Sequence, residues 1–335
     1  MSDTMQAVVI ERFGGPEALV MRAMPVPRPG HGEVRVKLVV AGVNYIDVYM
    51  RNGSYARSDT YQTPLPMVPG MEGAGVVDAV GEGVDDFRPG QRVAWCISRG
   101  SYAPFAVVPA WKLVRVPDAL PLAVACALML QGSTAHYLCR SAYALREGES
   151  CLVHAGAGGV GQLLIQLAKA RGATVIATVG SDAKAAIATG CGADHVILYR
   201  DVDFQPAVRA YTDGRGVDVV YDSVGRDTIH RSLRCLRRRG VCVLFGASSG
   251  QVDAIAPIEL AEAGSVFFTR PHLADYLADA IERRGRAEDL FEAVADGSLR
   301  VAIDRTLPLA HAAESHRIIE ARGTRGKLLL AIGAE

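Results

Sequence analysis

Nothing in this 335-residue chain leans towards one sign of charge: Lys plus Arg number 36 and Asp plus Glu number 36. A neutral balance argues against a basic nucleic-acid binder and against electrostatic capture on anionic membranes. Cysteine is present without a pattern. The seven cysteines (96, 126, 139, 151, 191, 235 and 242) are an odd set, none in a CxxC, and most sit in apolar stretches. That excludes a disulfide framework and reads as buried free thiols in a reducing compartment. No apolar run approaches the ~18 residues a membrane span needs; the nearest, 120–130, is interrupted by Pro121. The first dozen residues lack the charged, apolar and small regions of a signal peptide. The expected location is the cytoplasm.

What remains is an ordinary globular composition, 50% hydrophobic and 21% charged, in a chain long enough for two domains. Its texture changes near residue 130. Before that point short strand-like segments (7–10, 33–40, 75–80, 92–96, 101–108) are separated by Pro-Gly turns at 29–30, 69–70 and 89–90, the mark of a β-rich module. Beyond it, strands at 150–154, 174–179, 195–198, 217–221, 241–245 and 265–269 alternate with helical patterns. That rhythm predicts a doubly wound parallel α/β sheet. Two helices are expected at 273–283 and 287–295, and the apolar strand 326–332 should return to complete the first module. The predicted domains are therefore 1–130 with 272–335, and 131–271.

The strongest local motif is GAGGVG (156–161), flanked by an apolar strand before and an amphipathic helix after, with a second strand about 20 residues on. In such a loop Gly156 permits a tight turn, Gly158 lets the backbone approach a pyrophosphate, and Gly161 lets helix and strand pack. The N–H groups of Gly159 and Val160 and the helix dipole then face the phosphates. NAD enzymes carry an acid at the end of the second strand. Here that place reads Gly180-Ser181, with Asp182 as the expected N-cap and Lys184 one turn on. A lysine attracts a 2′-phosphate, so NADPH is expected over NADH.

A β-rich module joined to this nucleotide-binding pattern resembles the medium-chain dehydrogenases and reductases, many of which hold zinc through a Cys and a His. The matching positions here are Asn44 in GVNYID (42–47) and Met71 in PGMEG (69–73). An amide and a thioether do not make the N/S site that zinc prefers, and no metal is expected. Together with HAGAGGVG (154–161), VVYDSVGRDT (219–228) and GSVFFTRP (264–271), these segments resemble the zinc-independent quinone oxidoreductases, relatives of zeta-crystallin, across essentially the whole chain.

The resemblance implies a GroES-like catalytic domain beside the Rossmann domain, and roles at matching positions. Asn44 would lie near the nicotinamide, with Tyr45 and Asp47 shaping the pocket. Tyr137 would touch the middle of the cofactor; Gly180, Ser181 and Lys184 would hold the 2′-phosphate end, with Tyr199 beside the adenosine. Ser223, Phe245, Gly246 and Ser248 would line the cofactor after two strands. Arg270 would approach the nicotinamide half and Arg322 the 2′-phosphate. Two departures stand out: Gly156 where many relatives have alanine, and His272 where relatives often have a small polar residue. His154 reads as a packed strand residue, and Arg237, Arg238 and Arg239 as a solvated helix end. The expected activity is reduction of a quinone by NADPH without a metal. Reduction of enones, or a crystallin-like NADPH- or RNA-binding role, is the alternative. The 265–269 strand is the expected homodimer edge.

Overall fold

The computed structural model describes residues 3–334 and divides into two compact units, Met1–Leu130 with Tyr276–Ala295 and Ile303–Glu335, and Gln131–Asp275 with Asp296–Ala302. The predicted division assigned all of 272–335 to the first unit. Residues 272–275 and the short segment Asp296–Ala302 depart from it; at the latter Gln166 grips the backbone, donating to Arg300 O at 3.0 Å and accepting from Arg300 N at 2.9 Å.

The first unit is built on a seven-stranded sheet. Strands Ile303–Pro308, Lys327–Ala331, Glu33–Val43, Glu72–Val80, Arg92–Cys96 and Val114–Arg115 lie side by side in that order, with Phe105–Pro109 also pairing on Glu33–Val43. The C-terminal strand returns as expected, Leu328 opposite Val43 and Ala331 opposite Val40. Leu328, Leu329 and Leu330 are buried on both faces of this strand, as are Val34, Val36 and Val43 of its neighbour. Of the two helices expected after residue 273, the first is a short 3-10 turn, Leu273–Leu277, and the second begins earlier than expected and runs from Ala280 to Ala295. Arg283, read as the end of the first helix, is instead buried in the interior of the second. Its guanidinium donates to Cys96 O and Leu277 O and lies over the Trp111 ring.

The second unit carries six parallel strands. Numbered along the chain from Ser150–Val153, their spatial order is 3-2-1-4-5-6, the doubly wound arrangement that binds dinucleotides. Leu152, Ile176, Val220, Val208 and Leu233 pack in one core between sheet and helices. The run Arg237–Arg239 is not a helix end. The helix stops at Cys235, and the arginines lie in the strand Leu236–Leu244, where Arg237 turns to pair with Asp218 at 2.5 Å.

The apolar run near residue 125 is also longer than its sequence suggested. A helical stretch from Leu122 to Ala142 is long and apolar enough, by length and composition alone, to cross a membrane, but 83% of its apolar window is buried within the protein. Pro121 sits at the helix entrance rather than inside it, where a missing N–H costs nothing.

Candidate cofactor and catalytic site

In the second unit, the glycine turn joins the strand Ser150–Val153 to the helix Gly159–Ala170. The left-handed residue of this tight turn is Ala155 (φ 54°). Gly156 is required for space: a Cβ there would stand 2.8 Å from the Ala177 Cβ of the next strand. At Gly161 a Cβ would meet the backbone of Ala155 and Gly156, and at Gly159 the amide of Gln131. Gly158 is the open position, its nearest obstacle being Ala155 O at 3.2 Å. No described side chain caps the helix that follows. The first-turn N–H groups of Gly159, Val160 and Gly161 have no intrahelical acceptors, an arrangement that suits an anion.

At the end of the second strand, Gly180 leads to Ser181, which rather than Asp182 is the N-cap of the helix Asp182–Gly190. Tyr199 leans over this turn, since a Cβ on Gly180 would lie 2.7 Å from its hydroxyl. Lys184 lies half-buried on the first turn of the helix. Ser223 and the Phe245–Ser248 loop are tied together by Ser248 N donating to Ser223 O at 3.2 Å, and a Cβ on Gly246 would press on the Ser223 backbone. Asp222, fully buried behind them, accepts from Val224 N, Gly225 N, Thr228 Oγ1 and Ser232 Oγ. Ser232 is shared with His154, whose other nitrogen meets Thr178 Oγ1 at 2.9 Å. Burial holds the His154 ring below its usual pKa, with Asp222 acting against that. His154 is thus a packed residue, as expected, but it stands in the turn just past the strand rather than in it. Tyr137 is buried in the helix Ser133–Tyr137, and Arg270 donates to Pro271 O.

The first unit carries a buried polar centre. Asn44 precedes the helix Tyr45–Arg51, and its side chain is held on both sides: Nδ2 donates to Glu72 Oε2 at 2.9 Å and Oδ1 accepts from Lys327 Nζ at 2.7 Å. Lys327 also pairs directly with Glu72, whose other oxygen accepts from Leu130 N at 2.6 Å. Asp47 is completely buried and faces the protein's own donors, Asn44 N at 2.8 Å and Met71 N at 3.0 Å. Burial drives its carboxyl up to about 7, while the Asn44 N–H and Lys327 pull it down. It anchors the backbone on either side of the site instead of lining a pocket.

A second chain of contacts runs away from Asp47. Arg51 is held by Glu320 at 2.7 Å and donates to His316 Nδ1 at 3.4 Å. Because a guanidinium only donates, that nitrogen accepts and the ring proton sits on Nε2. It is directed at Tyr102 Oη, 3.1 Å away, which leaves the Tyr102 proton for Asp47. Burial, with Arg51 adding to it, takes His316 down to about 3, so the ring is neutral. Tyr45 donates to Ile319 O at 2.9 Å and its pKa is raised by burial, with Arg322 opposing. Its proton is directed at the protein. Rings of Tyr45, Tyr49, Tyr55 and Tyr61 follow one another at centroid spacings of 5.9, 5.4 and 5.2 Å.

Glu72, Lys327, Tyr102, His316 and Asp222 were not singled out from the sequence. Lys327 had a visible signal, a charge opening the apolar strand KLLLA; His316 and Tyr102 had none, because their pairing joins residues 214 apart.

Residues 30–118 match the family model of the alcohol dehydrogenase GroES-like domain, and residues 159–282 that of the zinc-binding dehydrogenase. The chain is 41% identical over 335 residues to the 2-haloacrylate reductase of a Burkholderia species, covering 97% of this chain and 98% of that one. It is 41% identical over 322 residues to the quinone oxidoreductase of Pseudomonas aeruginosa, covering 95% and 97%. Escherichia coli quinone oxidoreductase complexed with NADPH superposes with a TM-score of 0.94 at 39% identity, over 97% of this chain and 99% of that one.

The two cofactor questions raised by this kinship have different answers. The open Gly158 turn, the uncapped helix and the Gly180–Lys184 corner fit a dinucleotide bearing a 2′-phosphate. The first unit does not fit zinc. Asn44 and Met71 are poor donors for it, and the carboxylate beside them, Glu72, is already neutralised by Lys327.

Proposed function

The chain belongs to the quinone oxidoreductase family of the medium-chain dehydrogenases and reductases, and from that premise we propose that it is a zinc-independent NADPH:quinone oxidoreductase. The observation that carries this reading is the Asn44 centre, where an amide fixed by Glu72 and Lys327 stands in place of a metal-ligating thiolate. Bound NADPH supplies the hydride equivalent and the quinone supplies an acceptor that needs no Lewis acid to polarise it. The protein's part is positioning. Gly156, Gly158, Gly159, Val160 and Gly161 hold the pyrophosphate; Gly180, Ser181, Lys184 and Arg322 hold the 2′-phosphate end, with Tyr199 beside the adenosine. Tyr137, Ser223, Phe245, Gly246 and Ser248 line the rest of the cofactor. Asn44 and Arg270 serve its nicotinamide end, and Tyr45 shapes the acceptor side. Asp47 acts through the backbone of Asn44 and Met71.

The kinship with a 2-haloacrylate reductase favours a second reading, reduction of activated alkenes with the same cofactor. A panel at saturating NADPH separates the two: benzoquinone and phenanthrenequinone against an enone and a 2-haloacrylate. Faster turnover of the quinones, judged by kcat/KM, supports the first reading. A clear preference for the alkenes overturns it.

Two further features belong to the proposal. All seven cysteines are free, six of them buried, which suits a reducing compartment such as the cytoplasm. The strand Phe267–Thr269 forms one edge of the six-stranded sheet and leaves Phe267 63% exposed. An unpaired apolar edge of this kind suits two-fold pairing with a second copy.

A further inference from the structure

Lys327 and Glu72 are among the most deeply buried ionic side chains of the first unit, and they meet at a single neutral group, the Asn44 amide. Taking both charges out of water is costly, and a pair of apolar residues often replaces such an ion pair without loss of stability. What the ion pair does that an apolar pair cannot is give the amide a direction. The ammonium only donates, so it fixes the Asn44 carbonyl towards residue 327; the carboxylate only accepts, so it fixes the NH₂ towards residue 72. Neither contact survives if the amide is turned over.

The surrounding chain is shaped to this contact. Gly42 has an ordinary strand backbone, so its lack of a side chain is not explained by conformation. A Cβ there would overlap the Glu72 carboxylate and lie 3.0 Å from Lys327 Nζ. The carboxylate is also gripped from its other oxygen by Leu130 N, and Asp47 holds the Asn44 backbone from below. The amide is therefore oriented from two strands, its backbone is held from the first turn of the helix, and one Nδ2 proton is left outside these contacts.

We infer that Lys327 and Glu72 are positioning residues that set the direction of the Asn44 amide, so that its remaining N–H is the group presented at the nicotinamide end of the cofactor. This rests on the reading of Asn44 given above. The test uses the full-length protein in a common Glu72→Gln background, which keeps position 72 polar and removes the need for a counter-charge. Lys327→Met in that background removes the donor to Asn44 Oδ1; Lys327→Gln retains one. Glutamine at position 72 has one accepting oxygen where Glu72 offers one to Leu130 N and the other to Asn44 Nδ2. The Glu72→Gln single variant is therefore the reference, and both double variants should share its unfolding midpoint in tryptophan fluorescence.

The Met variant should lose kcat on the order of tenfold to a hundredfold, the effect of a misplaced positioning group, while its KM for NADPH changes by less than about threefold. The enhancement of NADPH fluorescence on binding should fall in parallel, and the Gln variant should recover most of both losses. Equal kcat and equal enhancement in the Met variant, the Gln variant and the Glu72→Gln reference would overturn the positioning role. A wild type that binds NADPH but reduces no quinone would sink the functional reading alone. The fluorescence comparison would still decide the direction of the amide.

Discussion

Replacing His316 with glutamine should change how stability depends on pH more than it changes stability at neutral pH. In the folded chain the imidazole is buried against the Arg51 guanidinium and takes up a proton only near pH 3, against 6.5 for an ordinary histidine. The unfolded chain therefore binds a proton that the folded one refuses throughout that window. Stability contributed by the neutral ring is fully present above pH 6.5 and is lost as the pH falls towards 3, with a limiting slope of about 1.4 kcal/mol per pH unit. Over the whole window the loss is on the order of 4 kcal/mol.

Asp47, two contacts away, works in the opposite direction. Its carboxyl titrates at about 7 when folded and near 3.8 when not, so its contribution is present below pH 3.8 and is lost as the pH rises to 7. The wild type should accordingly show a shallow net profile. Glutamine at 316 can accept from Arg51 and donate to Tyr102 without titrating, leaving the Asp47 slope uncovered. The variant should gain on the wild type by about 1 kcal/mol for each pH unit of acidification between pH 6 and 4. Urea unfolding followed by tryptophan fluorescence is the suitable assay, because both tryptophans, Trp95 and Trp111, lie in the unit that holds His316. Parallel stability curves for the two proteins would refute the assignment of a neutral buried ring.

Asp222→Ala leaves two backbone N–H groups and two hydroxyls without their acceptor. It should destabilise the protein by roughly 2–4 kcal/mol in calorimetry and weaken NADPH binding by loosening the Ser223 loop. Lys184→Glu should lower NADPH affinity about tenfold or more while sparing NADH, read by isothermal titration with each cofactor. Phe267→Asp should shift the light-scattering mass from dimer to monomer with an unchanged circular-dichroism spectrum; a dimer in the variant would remove that edge from the interface.

The parts of the molecule that could be read from sequence are those in which local pattern and tertiary role coincide. The alternation of strands and helices beyond residue 150, and the glycine turn between a strand and a helix, carry their meaning within some thirty residues of chain. The Asn44 position was also readable, because its neighbours form a recognisable segment. What the amide does was not, since its partners Glu72 and Lys327 lie 28 and 283 residues away. Buried polar networks of this kind depend on register between distant strands, which no local periodicity encodes. The same limit explains Arg237, Arg283 and Arg286. Arginine in sequence suggests solvent, yet Asp218, the Cys96 carbonyl and the Tyr276 carbonyl respectively supply buried or half-buried acceptors. Gly156 erred in a different way. Its need is for room against Ala177, and the left-handed residue of the tight turn is its neighbour Ala155.

The central claim is best tested by steady-state oxidation of NADPH with phenanthrenequinone as acceptor, with and without EDTA, and with NADH in parallel. The account predicts quinone-dependent turnover that prefers NADPH and is unaffected by the chelator. Turnover abolished by EDTA and restored by zinc, or a preference for NADH, would contradict it.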